Sequence, residues 1–350
     1  MSTGSGIRMR KSARTAAAAI VGAVLLALLP ACSSGSGPNS MTLMMDVGYL
    51  PKHAPFFAAV EQGFFRQEGL DITIMPGSGS TNTVTSVESG RVDVGFADFG
   101  TTIIAQGRGA AVKQVNLLQA RSAYAVVGLA DSGIRDWKDL RGKTLATEGA
   151  GAMTAMWPLA LNRLGLRAGD VNLVHASSGS KIPGLLAGQW DANLALYVSD
   201  EPAIDALGRE AAVLKWSDLG IDLYGNGIVV SDEKLKNDPD QVRRFNRAMQ
   251  KGFLWSCANP EKAAGDFQKE VQGYETDTIA LAIRAQCSLN WSADTTADQF
   301  GVMDDAGVQE LLDVAKEFLG LKADSRLTPA DIYTNAYLAP LHRDETIQAP

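Results

Sequence analysis

One pattern occurs twice in this 350-residue chain and limits the folds open to it. The first copy lies between Met75 and Gly109: a strand end, the turn Gly77-Ser78-Gly79-Ser80, a helix, Gly90-x-x-Asp93, then an alternating strand through Val92, Val94 and Phe96 that ends at Asp98. The second copy reads Ser177-Ser178-Gly179-Ser180, Ile182 to Ala187, Gly188-x-x-Asp191 and the strand-like run Ala192 to Tyr197. Each copy is one turn–helix–strand unit. Two distant copies without a third exclude a solenoid and predict one unit in each of two α/β lobes. Ligands of open α/β sheets bind beyond the carboxyl ends of strands, so the cleft between the lobes is the expected site.

The N-terminus carries a different signal. Arg8, Arg10, Lys11 and Arg14 precede the apolar run Ala16 to Leu29. That run is too short to span a bilayer and reads as a signal-peptide core. It ends at Leu29-Pro30-Ala31-Cys32 and a Ser/Gly tether, which resembles a bacterial lipobox with Cys32 as the lipidated residue. The expected segments are a signal peptide at 1–32 and a tether at 33–41, followed by lobe I at 42–129 and 224–322. Lobe II is expected at 130–223 and a C-terminal tail at 323–350. Without its first 32 residues the chain holds 28 basic against 39 acidic groups, a net of −11. Nucleic-acid binding needs a basic footprint, which this balance denies. An exported chain can oxidise Cys257 and Cys287, but the sequence leaves their pairing open.

The strands expected in order begin with 42–48, 70–74, 112–118, 124–130 and 144–147. A helix over 54–68, broken or loosened near Gly63, follows the first of them, and 154–164 is a second helix. Ile228-Val229-Val230 reads as the crossing back to lobe I. Asp238-Pro239, Asn259-Pro260 and Thr328-Pro329 are cap-plus-proline helix starts. Val242, Phe245, Met249 and Phe253 recur at helical spacing and predict a core-facing stripe.

Several motifs now carry a resemblance. His53-Ala54-Pro55-Phe56-Phe57 with Gln62-Gly63-Phe64-Phe65, Gly90-x-x-Asp93-Val94-Gly95-Phe96-Ala97-Asp98, Leu140-Arg141-Gly142-Lys143-Thr144, Tyr224-Gly225-Asn226 and Tyr333-Thr334-Asn335 resemble solute-binding proteins of ABC importers. The family takes nitrate, taurine, aliphatic sulfonates and pyrimidine precursors of thiamine, and the resemblance spans about residues 42–338. It implies a type II periplasmic-binding-protein fold: two α/β lobes joined by two crossover segments around a ligand cleft, closing by hinge bending. It further implies a permease and an ATPase as partners; a monomer without cofactor, anchored by lipid at Cys32, is expected. Relatives of the pyrimidine-binding branch often carry Trp after the first-strand aspartate. Here Val47 follows Asp46, so stacking would fall to Tyr49, Tyr124, Trp157, Tyr197 or Tyr224.

The expected ligand-binding residues follow from chemistry and position. Helix starts at Ser78, Ser80 and Thr81, at Thr101, at Gly151 and Met153, and at Ser178 present backbone N–H groups. Asp46, Asp98, Glu148 and Asp200 lie near the same strand ends. So many carboxylates would repel a bare anion but suit a solute with amino or ring N–H donors. Asn226, Tyr49, Tyr124, Tyr197, Tyr224 and His53 complete the set, with His53 better suited to starting a helix than to touching the ligand. An aminopyrimidine-type thiamine precursor is the first choice, and a taurine-like or sulfonate ligand on the helix N-termini is the alternative. A eukaryotic branch resembles a single-turnover pyrimidine synthase with an active-site histidine and an iron site. This chain has His53, His175 and His342 but no His/Cys metal spacing and no Gly-x-Ser-x-Gly elbow, so no enzymatic activity is expected.

Overall fold

The computed structural model describes residues 39–148, 152–291, 299–342 and 345–350. The expected signal segment with Cys32, most of the tether, and Gly151 lie outside the described residues.

Among the described residues, ten strands form two five-stranded sheets, one per lobe. The first sheet has the order β2-β1-β3-β10-β4, from β1 (Ser40–Met44), β2 (Asp71–Met75), β3 (Val94–Asp98), β4 (Val112–Leu117) and β10 (Asn226–Ser231). The second has the order β7-β6-β8-β5-β9, from β5 (Tyr124–Leu129), β6 (Thr144–Thr147), β7 (Asn172–His175), β8 (Ala192–Leu196) and β9 (Ala211–Lys215). The two orders match position by position. In each, the strand arriving from the other lobe lies antiparallel between two neighbours: β10 between β3 and β4, β5 between β8 and β9.

The duplicated Gly-x-x-Asp has one structural task in both lobes. Gly90 and Gly188 each hold φ +68°, a left-handed turn that glycine adopts without cost after a helix. The aspartate then fixes the start of the first parallel strand. Asp93 Oδ2 accepts Thr42 N–H at 2.8 Å, and Asp191 Oδ2 accepts Thr144 N–H at 2.8 Å. A lysine balances each charge: Lys234 at 3.1 Å from Asp93, Lys143 at 3.1 Å from Asp191.

Helices cover the sheets. Around the first sheet lie α1 (Ala54–Glu61), α2 (Phe64–Gln67), α3 (Ser80–Glu88) and α4 (Phe99–Gly107). Gly63, at φ +81°, separates α1 from α2, a break at the glycine where the helix was expected to be broken or loosened. The second sheet carries α5 (Ala152–Leu164), α6 (Ser178–Leu186) and α7 (Tyr197–Ala206). The C-terminal third supplies α8 (Asp232–Asn237), α9 (Pro239–Ala258), α10 (Pro260–Glu270), α11 (Thr276–Ser288), α12 (Asp305–Val314) and α13 (Pro329–Ile332). On α9, Val242, Phe245, Met249 and Phe253 are buried against Phe56, Phe65 and Phe300, which explains their spacing. A second core joins Phe99 and Leu117 of the first lobe to Val126, Leu145 and Trp216 of the second and to Leu312 of α12. Among the described residues no helix is long and apolar enough to cross a membrane.

Three expectations change. The strand expected over 124–130 at the end of lobe I is β5 and belongs to the second sheet, so the first crossing lies at 118–123. Strands β7 and β9 were not foreseen; both lie at sheet edges, where a short, half-exposed strand has little alternation to read. The expected tail folds back onto lobe I: Tyr333 bridges Gln114 of β4, and Ile347 packs on the first core.

Candidate functional site

The carboxyl ends of the parallel strands collect the residues of interest. Asp46 follows β1, Ser78 and Ser80 follow β2, and Asp98 ends β3; Glu148 follows β6, and Tyr197 follows β8. Contact across the lobes is direct: the Tyr124 hydroxyl on β5 lies 3.5 Å from Asp98 Oδ2 on β3.

Asp46 is fully occupied by the chain itself. Its Oδ1 accepts Val47 N–H at 2.9 Å and faces His53 Nε2 at 2.8 Å. Its Oδ2 accepts Lys52 Nζ at 2.6 Å and Asn226 Nδ2 at 2.7 Å. Four donors fill the lone pairs of a carboxylate. His53 Nδ1 accepts Leu50 N–H at 3.1 Å, so Nε2 carries the proton it gives to Asp46. Burial would raise the Asp46 carboxyl, but the Lys52 ammonium and His53 outweigh it and hold it far below the carboxylate range. Burial lowers the His53 imidazole despite the attraction of Asp46, and keeps it neutral. Asp46, His53 and Asn226, expected as ligand contacts, therefore hold one another and lace the β10 crossing to β1.

The Gly/Ser turn is also turned inward. A Cβ on Gly77 would meet the Met45 carbonyl oxygen at 1.9 Å, so the close approach expected for a ligand is made by the chain's own backbone. Gly77 N–H donates to Val47 O at 3.0 Å and Gly79 N–H to Asp46 O at 2.7 Å. Ser80 Oγ accepts Asp98 N–H at 3.0 Å, while Ser78 and Thr81 are exposed.

Asp98 is different. It caps α4: Oδ1 accepts Thr101 N–H at 2.6 Å and Thr101 Oγ1 at 2.8 Å. Among the described residues its Oδ2 has only the long Tyr124 contact. Burial raises the Asp98 carboxyl against the lowering effect of the Thr101 bonds, and burial beside Asp98 pushes the Tyr124 phenol well up. Behind Tyr124 stands Trp216 with ring centroids 5.6 Å apart, and behind that Trp157 at 6.1 Å. The buried indole N–H groups of Trp157 and Trp216 find no partner among the described residues.

The second lobe offers Glu148. It sits four places after Thr144, as Asp46 sits four places after Thr42. Its side chain is 43% exposed and meets Lys181 Nζ at 3.2 Å. Lys181 is 5% exposed and also donates to Leu194 O at 3.0 Å. Asp200 lies beside it, raised by burial and lowered by Lys181, with Asn193 Nδ2 at 3.4 Å. Lys181 and Asn193 were not among the expected residues; the signal for Lys181 was one charge inside the otherwise uncharged helix α6. Met153 packs half-buried on the second core, and the Ser178 side chain lies outside the described residues.

Three of the four expected tyrosines point elsewhere. Tyr49 donates to Ile74 O at 3.0 Å and stacks edge-on with Phe57. Tyr197 is buried under the Lys215 ammonium, 4.4 Å from its ring centroid. Tyr224 donates to Asp304 Oδ2 at 2.9 Å, fastening the second crossing to α12.

The described residues hold no group of three or more His, Cys, Asp or Glu side chains able to bind a metal ion.

A family model described as NMT1/THI5 like matches residues 50–263. The chain is 27% identical over 237 residues to the 4-amino-5-hydroxymethyl-2-methylpyrimidine phosphate synthase THI13 of Saccharomyces cerevisiae, covering 64% of this chain and 69% of the relative. It is 24% identical over 229 residues to a formylaminopyrimidine-binding protein of Halalkalibacterium halodurans, covering 64% and 68%. Its fold matches the alkanesulfonate-binding protein SsuA of Xanthomonas axonopodis pv. citri bound to MOPS, with a TM-score of 0.64 at 16% identity over 86% of this chain and 99% of that one. The expectation of no enzymatic activity is corrected here, because relatives in Saccharomyces cerevisiae and other fungi are named as synthases. A missing sequence constellation was too weak a ground for that exclusion. With two matching sheets on the periplasmic-binding-protein fold and a family match over more than half its length, the chain belongs to the NMT1/THI5-like family.

Proposed function

We propose that the chain is the extracytoplasmic solute-binding component of an ABC importer and that its cleft takes a 4-aminopyrimidine-type solute. One observation carries the ligand class: among the described residues, Asp98 keeps an oxygen with only a 3.5 Å contact, beside Tyr124 at the inter-lobe junction. A ring amino group is the donor that such a carboxylate lacks. Glu148, 43% exposed at the matching strand end of the other lobe, gives a second acceptor. An aminopyrimidine also appears in the names of both of these relatives. The lobes would pivot at the crossings 118–123 and 220–225, with lobe I before and after them and lobe II between. Lipid anchoring at Cys32, a permease and ATPase as partners, and a monomeric state complete the proposal.

The test is a thermal-shift panel of 4-amino-5-hydroxymethyl-2-methylpyrimidine, formylaminopyrimidine, taurine and an alkyl sulfonate. A solute at a hundred times its dissociation constant adds about 2.7 kcal/mol to the folded state. A shift with the aminopyrimidines supports the proposal; a shift with taurine or sulfonate alone sinks it. The relatives named as synthases favour a second reading, in which the same acceptors hold a pyrimidine phosphate as product. Mass spectrometry of the freshly purified and incubated protein checks this by whether pyrimidine phosphate accumulates.

A further inference from the structure

Helix α11 touches both lobes: it packs on the turn Pro51–His53 of the first and on α7 of the second. Its C-terminal end is bonded to the first crossing. Gln119 Nε2 donates to Gln286 Oε1 at 2.8 Å, and Gln286 Nε2 donates to Leu118 O at 3.3 Å. Leu289 O accepts Ala120 N–H at 2.7 Å and Arg121 N–H at 3.3 Å. Asn290, with its amide nitrogen turned toward acceptors, donates to Leu118 O at 2.9 Å. The Leu289 side chain, 1% exposed, lies in the core of the second lobe with Ala125, Val127 and Val198.

In the middle of this segment Cys287 is joined to Cys257, at the end of α9 in the first-lobe core, with Cα atoms 5.8 Å apart. A covalent bond thus ties a lobe I helix to a segment that is hydrogen-bonded to the crossing and buried in lobe II. We propose that the Cys257–Cys287 disulfide is a redox-addressable fastener of inter-lobe movement. Closed, it keeps 286–290 against α9 and holds the first crossing. Open, it lets that segment follow the second lobe. Both cysteines are half-buried, within reach of a small dithiol. Opening needs such a reductant: one thiolate attacks a cysteine sulfur and breaks the S–S bond, and the second thiol displaces the mixed disulfide. The reductant leaves as its cyclic disulfide, and two electrons and two protons remain on Cys257 and Cys287 as thiols.

The test is hydrogen exchange on the ligand-free chain, oxidised, reduced in place with dithiothreitol, and as the C257A/C287A variant. The expected result is exchange at least tenfold faster at Gln119, Ala120 and Arg121 in both opened forms, with the amides of α1 and the middle of α9 unchanged. Gln286→Leu, which removes two of the bonds while the disulfide stays closed, should speed the same amides less. Unchanged exchange at 119–121, with loosening confined to α10 and α11, would make the disulfide a local staple and overturn the proposal. Faster exchange throughout, α1 and α9 included, would overturn it too.

Discussion

Asp46 and Glu148 occupy the same place in two copies of one unit, yet they live differently. Asp46 is 6% exposed and meets four donors from its own chain. Glu148 follows the matching strand, is 43% exposed and leans on Lys181. Duplication sets where a carboxylate stands; the local donors decide how completely it is spent on the fold. The first lobe uses its carboxylate to lock the β10 crossing, while Asp98 at the end of β3 faces Tyr124 of the second lobe.

The largest expected effect breaks the spent side of that comparison. Asp46→Ala strands a buried lysine at 3% exposure and should cost about 3–5 kcal/mol, read as a lower urea midpoint. Glycine offers the same contrast. Gly77→Ala drives a Cβ into the Met45 carbonyl and should cost about 1–3 kcal/mol, while Gly179→Ala meets nothing within 4 Å and should stay within about 0.5 kcal/mol.

Acid sharpens the comparison further. Because burial lowers His53 in the fold, the unfolded chain binds its proton first as pH falls below 6.5. His53 therefore contributes stability above that pH that is lost below it, by at most about 1.4 kcal/mol per pH unit. Urea midpoints between pH 7.5 and 5 should fall more steeply in the native chain than in His53→Gln. The buried Asp98, raised in the fold, acts in the opposite sense at lower pH, gaining stability as pH drops toward the ordinary carboxylate value. Glu148→Gln is expected to stay within about 1 kcal/mol in stability because the pair is partly solvated.

Much of the architecture was legible because it rests on spacing. The repeated Gly-x-x-Asp predicted two lobes, and its task, holding Thr42 and Thr144, rests on a backbone bond that spacing does not reveal. The lobe boundary was misread because 112–118 and 124–130 both read as strands, and alternation does not say which sheet a strand joins. The candidate site was legible by residue type and poorly by direction. Tyr49, Tyr197 and Tyr224 all lie close to strand ends, but each points at a carbonyl, a lysine or Asp304. Lys181 was passed over because a lysine is ordinarily exposed, whereas here Leu194 O and Glu148 hold it inside.

The most direct measurement is calorimetric titration of 4-amino-5-hydroxymethyl-2-methylpyrimidine into the native chain and into Asp98→Asn. Asparagine still caps α4, so folding is kept while the acceptor charge is lost. The account predicts binding by the native chain and a loss of about tenfold to a hundredfold in the variant, the worth of one hydrogen bond to a charged group. Equal affinity in the two proteins, or heat only with taurine or an alkyl sulfonate, would contradict it.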